Sequence, residues 1–372
     1  MKKLCFVINQ IGWGGGTERV GIRIINGLAD KGYDITLVAL WQSEESAFFP
    51  LDERVRFISL FEHKRSLYKH YFQLVKALRR VVKEHRIDTI INIETTLALM
   101  VAPAVWGLKT RHVSWEHYNF LASADSAIRP LARYVAAWCA DNVVTLTERD
   151  ASLWRKRARP RARVVTINNP MPFEEQHPYN FHRDSRTVLT VGRLNRQKGY
   201  DMLLDAWQQT RGQTSPEWKL QIVGSGEEET SLKERARALG IEQSVEFHPH
   251  TREIEPFYRN AAMYCMSSRY EGLPMVLIEA SSYGLPMVSF DCVSGPSEII
   301  EHDRNGLLAR DGDPADLATR LCEMMNDDDR RVRCSQAAYQ MTERFRPETI
   351  LSQWEALLRG ESIPAPPLYS AH

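Results

Sequence analysis

The sequence predicts an α/β protein made of two doubly wound domains, and three observations carry that expectation. The chain has 372 residues, more than one ordinary hydrophobic core accommodates. Short apolar runs rich in Val, Ile and Leu alternate with longer helical patterns, as expected of parallel sheets covered on both faces. The alternation halts over a polar, proline-bearing stretch at 171–186 and then starts afresh.

In the first domain, 1–170, the run LCFVI at 4–8 is uniformly apolar and short, which suits a buried strand. Further strands follow at 35–41, 55–60, 89–93, 112–115, 142–146 and 163–167. Helices are expected at 17–31, where Val20, Ile24, Ile25 and Leu28 repeat at helical spacing, and at 67–85, 129–140 and 148–157. The stretch 171–186 reads as an interdomain linker. In the second domain, 187–345, strands at 187–191, 219–223, 245–248, 263–266 and 287–290 alternate with helices at 198–209, 228–239, 255–260, 275–283 and 314–325. A C-terminal helix at 346–362 is expected to pack back on the first domain, and the proline-rich tail 363–372 to be disordered. Two such domains place a ligand cleft between them, at the carboxyl ends of the strands.

Composition narrows the function. With 43% apolar and 26% charged residues and a net charge of +1, the chain is of soluble globular type without a global drive towards nucleic acid. Six cysteines form no CxxC pair, which favours a reducing, cytoplasmic setting. No apolar run approaches the roughly 18 residues that span a bilayer, so membrane contact would be peripheral.

Three constellations carry chemistry. The loop QIGWGGGTERV offers Gly14, Gly15 and Gly16 between a strand and a helix, where backbone can approach a phosphate and the helix N-terminus favours an anion. A dinucleotide fingerprint fails because Thr17 replaces its last glycine, and a P-loop fails for want of Gly-Lys-Ser/Thr. In VGRLNRQKGYD, Arg193 closes a strand and Lys198 opens a helix, so two cations converge on the cleft and suit a diphosphate leaving group. In SRYEGLPMVLIEASSYG, Glu271 and Glu279 flank a helix beginning near Pro274, whose free N–H groups around Gly272 to Val276 form an anion site. Glu279 is placed to accept from the two hydroxyls of a ribose, and Glu271 from sugar hydroxyls. Thr147 and Glu148 end a strand of the first domain, where they touch an acceptor or cap a helix. The acidic run Asp327 to Asp329 reads as a solvated face.

In that order and spacing, the glycine loop, G-R-x4-K-G (Gly192 to Gly199) and E-x7-E opening on E-G-x-P (Glu271 to Glu279) resemble a retaining glycosyltransferase of the GT-B fold, family 4. The resemblance implies a donor diphosphate held by Gly14 to Gly16, Arg193, Lys198, and the backbone N–H groups of Leu273, Met275 and Val276. It implies that Glu271 holds hydroxyls of the transferred sugar and Glu279 the ribose, that Gly272 belongs to the donor-binding residues, and that the base packs near His250 and Thr251. His117 would lie beside the sugar, with Glu116 near the acceptor. Chemistry would be front-face, with the leaving phosphate oxygen deprotonating the incoming hydroxyl, no carboxylate nucleophile, no metal and no cofactor. UDP is the commonest nucleotide of the family.

Positive charge concentrates on the first domain, in the basic amphipathic helix 64–86 and in RKRARPRAR at 155–163. Such cations attract anionic lipid at up to about 1 kcal/mol each, whereas no nucleic-acid recognition module accompanies them. The expected activity is transfer of a hexose or N-acetylhexosamine from a nucleoside-diphosphate sugar to a lipid-linked saccharide of lipopolysaccharide, O-antigen or exopolysaccharide, on the cytoplasmic face of the inner membrane. A UDP-sugar epimerase of the same fold and a non-catalytic sugar-nucleotide-binding scaffold are the alternatives.

Overall fold

A computed structural model describes residues 2–12, 15–42, 48–64, 67–121, 128–172, 179, 181–251 and 253–364. The chain forms two compact units, one of Met1–Pro170 joined by Pro347–Ala365 and the other within Met171–Arg346.

The first unit carries β1 (Lys3–Ile8), α1 (Gly16–Asp30), β2 (Asp34–Ala39), β3 (Arg56–Ser59), α2 (Leu67–Glu84), β4 (Thr89–Ile93), α3 (Ala98–Val105), β5 (Arg111–Trp115), α4 (Arg129–Cys139), β6 (Asn142–Thr145), α5 (Glu148–Ala158) and β7 (Arg163–Thr166). Its seven strands are parallel in the order β3-β2-β1-β4-β5-β6-β7. The order reverses beside β1, and a doubly wound sheet takes its ligands at such a switch point, beyond the carboxyl ends of its strands. Strands β1 and β4 are buried along almost their whole length, which is why they read as unbroken apolar runs. Helix α2 buries Leu74, Leu78, Val81 and Val82 against this sheet, while Lys69, Lys76, Arg80 and Lys83 stay exposed.

The second unit contains β8 (Thr187–Val191), α6 (Tyr200–Thr210), β9 (Lys219–Val223), α7 (Glu229–Ala238), β10 (Val245–His248), α8 (Glu255–Asn260), β11 (Met263–Met266), α9 (Met275–Ser282), β12 (Met287–Phe290), α10 (Pro296–Ile299), β13 (Gly306–Ala309), α11 (Pro314–Asn326) and α12 (Asp328–Met341). Six parallel strands run β10-β9-β8-β11-β12-β13. Their core centres on Leu203, Trp207, Trp218, Ile222, Phe290 and Leu321. After this unit the chain returns to the first one as α13 (Pro347–Arg359). There Trp354 lies edge-to-face on Trp115, ring centroids 4.6 Å apart, and Arg111 donates to the Leu357 carbonyl at 2.7 Å.

Several elements depart from expectation. Helix α3 was not foreseen, because ALMVAPAV is apolar on every side and carries Pro103 inside it, so it shows no helical periodicity. Strand β13 and helix α12 were likewise missed. The acidic run is no mere solvated face: Asp327 caps α12 by accepting from the Arg330 N–H at 2.8 Å, and Asp328 pairs with the buried Arg331. Lys198 does not open a helix but ends a 3-10 turn over Arg196–Lys198. Gly199 then takes φ +65°, and a Cβ there would lie 2.2 Å from the Ser267 carbonyl oxygen, so α6 begins only at Tyr200. Of the linker stretch, Met171 donates to the Phe345 carbonyl at 2.7 Å, and Arg183 pairs with Asp329. Gly14, Arg252 and residues 365–372 lie outside the described residues.

Candidate active site

In the second unit the site is built on strand ends. Gly192 follows β8 and Gly224 follows β9, and a Cβ on Gly224 would stand 1.9 Å from the Gly192 carbonyl oxygen. The two turns therefore approach backbone to backbone. With Arg193, Ser225, His250, Thr251, Ile254 and Glu279 they enclose a cavity of about 460 Å³, within the range of small-molecule sites. Four residues singled out in the sequence thus meet in one place. His250 is set by its own N–H, which donates to the Ser225 hydroxyl at 3.1 Å.

Glu279 stands in the second turn of α9 and lines this cavity, and its Oε2 accepts from the buried Tyr258 hydroxyl at 2.9 Å. Tyr258 stacks on Tyr283, with centroids 5.1 Å apart and planes 3° from parallel, and on Tyr264 at 6.0 Å. The Tyr264 hydroxyl in turn donates to the Val191 carbonyl at 3.2 Å and accepts from the Val191 N–H at 3.1 Å. A chain of contacts therefore runs from the end of β8 to the carboxylate. Burial, and next the Glu279 charge, push the Tyr258 phenol well above its usual pKa, so it remains a donor. Sequence reading missed this ladder; its one trace was Tyr264 inside the apolar strand MYCM.

Arg193 contacts Glu227 at 3.2 Å, with both side chains largely exposed. Such a pair is worth at most about 1 kcal/mol, so the guanidinium can exchange it for a ligand anion. Lys198 is held differently. Its Nζ donates to Glu271 Oε1 at 2.7 Å in a mostly enclosed pair. The same oxygen accepts from the Ser268 hydroxyl at 2.7 Å, and the Glu271 carbonyl accepts from Ser294 at 3.1 Å. The pair flanks the cavity, because a Cβ on Gly192 would come within 3.3 Å of Lys198 Cε. Sequence reading found Lys198 and Glu271 but not their bond, nor Ser268 and Ser294. Beyond Gly272 and Leu273, Pro274 is the N-cap of α9, and the first bond across that turn is Leu277 N–H to its carbonyl. The amides of Met275 and Val276 precede that bond and belong to the orphan donors of a helix start.

In the first unit Gly15 is the N-cap of α1 and Gly16 its first residue. A Cβ on Gly15 would fall 2.2 Å from Glu18 Oε2, whereas one on Gly16 would meet nothing. Glu18 therefore folds its carboxylate over the start of its own helix, and burial raises its pKa. His117 is half-buried, its ring 4.5 Å from that of Trp115. Its Nε2 is shut away with no hydrogen-bond partner among the described residues, and burial lowers its pKa to about 3. The imidazole is thus neutral near pH 7 and can donate or accept, but not act as a cation.

Glu116 corrects the sequence reading. It is 0% exposed, so it faces no acceptor. Its Oε2 accepts from Arg133 Nε at 3.0 Å and its Oε1 from the Tyr118 N–H at 3.0 Å. Arg133 also donates to the carbonyls of Asn119 and Phe120 at 2.7 Å each, so the pair clamps the loop after His117. Thr147 caps α5, accepting from the Asp150 N–H at 3.1 Å. Glu148 accepts from Arg155 and, at 2.8 Å, from the Thr166 hydroxyl. Sequence reading overlooked Glu94, at the end of β4, which has φ +85°. It accepts from Arg129 at 3.0 Å and from the Thr96 hydroxyl, while the Arg129 guanidinium sits 3.9 Å from the Tyr118 ring centroid. A carboxylate directly after an apolar strand was its only signal.

Two Rossmann-like parallel sheets, with ligand-type residues gathered at the carboxyl ends of the strands, are the architecture of the GT-B class. A family model described as Glycosyltransferase Family 4 matches residues 14–175, and one described as Glycosyl transferases group 1 matches 173–341. The chain is 37% identical over 358 residues to an uncharacterized glycosyltransferase of Haemophilus influenzae, covering 96% of this chain and 100% of the relative. It is 32% identical to the amylovoran biosynthesis glycosyltransferase AmsD of Erwinia amylovora, covering 96% and 100%. With the GalNAc-alpha-(1->4)-GalNAc-alpha-(1->3)-diNAcBac-PP-undecaprenol alpha-1,4-N-acetyl-D-galactosaminyltransferase of Campylobacter jejuni it shares 27% identity, over 96% and 98% of the two chains. Among solved structures, the apo lipopolysaccharide outer core galactosyltransferase WaaB superposes with TM-score 0.78 at 22% identity, covering 96% and 99%. Anabaena HepE in complex with UDP does so with 0.77 at 21%, covering 97% and 100%. The protein belongs to the family 4, group 1 glycosyltransferases.

Proposed function

We infer that this glycosyltransferase moves a hexose or N-acetylhexosamine from a UDP-sugar to a lipid-linked glycan in lipopolysaccharide, O-antigen or exopolysaccharide assembly, with retention and without a metal. The observation that carries the reading is the cavity shared by Arg193, His250, Thr251 and Glu279, flanked by the Lys198–Glu271 pair. Glu279, braced by Tyr258, accepts from two ribose hydroxyls, and the base lies against His250 and Thr251. Arg193 and Lys198 face the diphosphate, with the first-turn amides of α9 as further donors. Once phosphate draws Lys198 away, Glu271 is released to accept from the sugar hydroxyls. In front-face chemistry the bond from C1 to the leaving phosphate oxygen breaks, a bond from C1 to the acceptor oxygen forms on the same face, and the acceptor proton passes to that phosphate.

The relatives named for amylovoran and for an undecaprenol-linked glycan support an acceptor of surface-polysaccharide type, and HepE, solved with UDP, supports the nucleotide. Exposed Lys69, Lys76, Arg80 and Lys83 on α2, with Arg155, Lys156 and Arg157 on α5, suit the anionic cytoplasmic face of the inner membrane. No described helix is long and apolar enough to cross a bilayer.

The test is Glu271→Ala, assayed with a panel of UDP-sugars and lipid-linked glycans. Transfer should vanish while the variant still folds and melts cooperatively, at a temperature lowered by the loss of the Lys198 pair, and UDP at one hundred times its Kd should still stabilise it by about 2.7 kcal/mol. Normal transfer by the variant, or conversion of a UDP-sugar to its epimer by the wild type without acceptor, would overturn the reading.

A further inference from the structure

The first unit holds a second cavity, of about 400 Å³, whose walls include Phe72, Leu97, Leu99, Met100, Ile128 and Leu131. Its polar members are Asn9 and Thr96, which stand just beyond the ends of β1 and β4, and Tyr71, whose hydroxyl donates to the Leu99 carbonyl at 2.7 Å. Phe72 is 84% exposed and Leu131 is 59% exposed, so an apolar lip stands open to solvent where a core would have closed it. Around that lip the charge is positive. Lys69 and Lys76 fall three residues before and four after Phe72 on α2, and therefore on its face of the helix, whereas Arg79, further along, donates to the Ala104 and Trp106 carbonyls. On α4, Leu131 continues into Tyr134 and Trp138 at helical spacing, 48% and 51% exposed.

A flat apolar stripe suits another protein, but a concave apolar pocket flanked on one side by exposed Lys69 and Lys76 suits an amphiphile with an anionic head. We propose that this pocket receives the first hydrocarbon segment of the acceptor's polyprenyl chain, with the adjoining phosphate against Lys69 and Lys76. The proposal rests on the lipid-linked acceptor inferred above and assigns the residues that distinguish such an acceptor from a free glycan. Asn9 and Thr96 mark where the chain gives way to polar groups at the carboxyl edge of β1 and β4. The 400 Å³ cavity holds a few isoprene units and no more, so the remainder of a long chain stays in the bilayer beside Tyr134 and Trp138.

Isothermal titration of the full chain with farnesyl phosphate, kept below its micelle concentration, tests the pocket directly. The wild type should bind it far more tightly than inorganic phosphate, and Phe72→Glu/Leu131→Glu should weaken binding at least tenfold. Both positions are exposed, so the fold should be unaffected; Phe72→Ala/Leu131→Ala serves if the charged variant melts early. Tyr134→Ser/Trp138→Ser, outside the pocket, should stay within twofold of wild type. Equal binding by wild type and both pocket variants, or no preference for farnesyl phosphate over phosphate, overturns the proposal. Transfer assays separate it from the reading beneath it. With a polyprenyl-diphosphate-linked glycan the pocket variant should show a KM raised at least tenfold, and with the same glycan freed of lipid no change. An unchanged KM for the lipid-linked glycan sinks the pocket and leaves the acceptor standing. A wild type that binds farnesyl phosphate yet uses only free glycans sinks the acceptor and leaves the pocket.

Discussion

Replacing Glu116 by Gln keeps the shape of a side chain that is 0% exposed and removes its charge. Arg133, whose side chain is 2% exposed, then loses the charge of its ion-pair partner, although its bonds to Asn119 and Phe120 persist. Removing one partner of a buried ion pair costs about 3–5 kcal/mol, because the other charge is left uncompensated. At roughly 2–4 °C per kcal/mol for a unit of this size, the melting transition of the first unit should fall by about 6–20 °C in calorimetry. Glu116→Gln/Arg133→Met, which removes both charges, should recover part of the loss, and a double-mutant cycle gives the coupling. Below the lowered transition the single variant should keep its KM for acceptor. Unchanged stability together with a large rise in acceptor KM would refute the clamp and restore Glu116 as an acceptor contact.

Two further outcomes follow from the buried polar groups. Tyr258→Phe removes one hydrogen bond to the Glu279 carboxylate, worth about 1.5–3 kcal/mol, so UDP affinity by titration calorimetry should fall about tenfold; an unchanged affinity would detach Glu279 from the nucleotide. Burial, with the Glu116 charge beside it, pushes the Asp150 carboxyl up to about 7. Because this lies above the unfolded value, the stability contributed by the protonated form is complete below about pH 4 and is lost as pH rises through 7. Asp150→Asn retains an acceptor for the Phe120 N–H and should be the more stable protein in urea melts, its advantage growing by about 2 kcal/mol between pH 5.5 and 8. A constant gap would place the Asp150 titration outside that window.

What the sequence made legible was whatever had a local period or a spaced motif. Strands such as β1 and β4 declare themselves because both faces are buried, and the E-x7-E spacing led to Glu271 and Glu279 directly. Helix α3 stayed hidden because uniform apolarity erases the distinction between a short helix and a strand. Partnerships stayed hidden for a different reason. Lys198 and Glu271 are 73 residues apart, and Tyr258 reaches Glu279 across 21, so only the folded sheet decides that they meet. The role of Glu116 was misread because a carboxylate at a strand end looks the same whether it faces a ligand or an arginine on the next helix.

The return of α13 to the first unit has a bearing on how the protein is made. Trp115 in β5 needs Trp354 as a neighbour, and Arg111 needs the last carbonyls of the same helix. During synthesis the first seven strands emerge long before residue 347, yet their sheet lacks this cover until the second unit has been translated. The second unit can therefore complete its core earlier than the first, despite following it in the chain. Ribosomes stalled before α13 should carry a protease-sensitive first unit beside a resistant second one, which makes the last helix the step that commits the nascent enzyme to its native state.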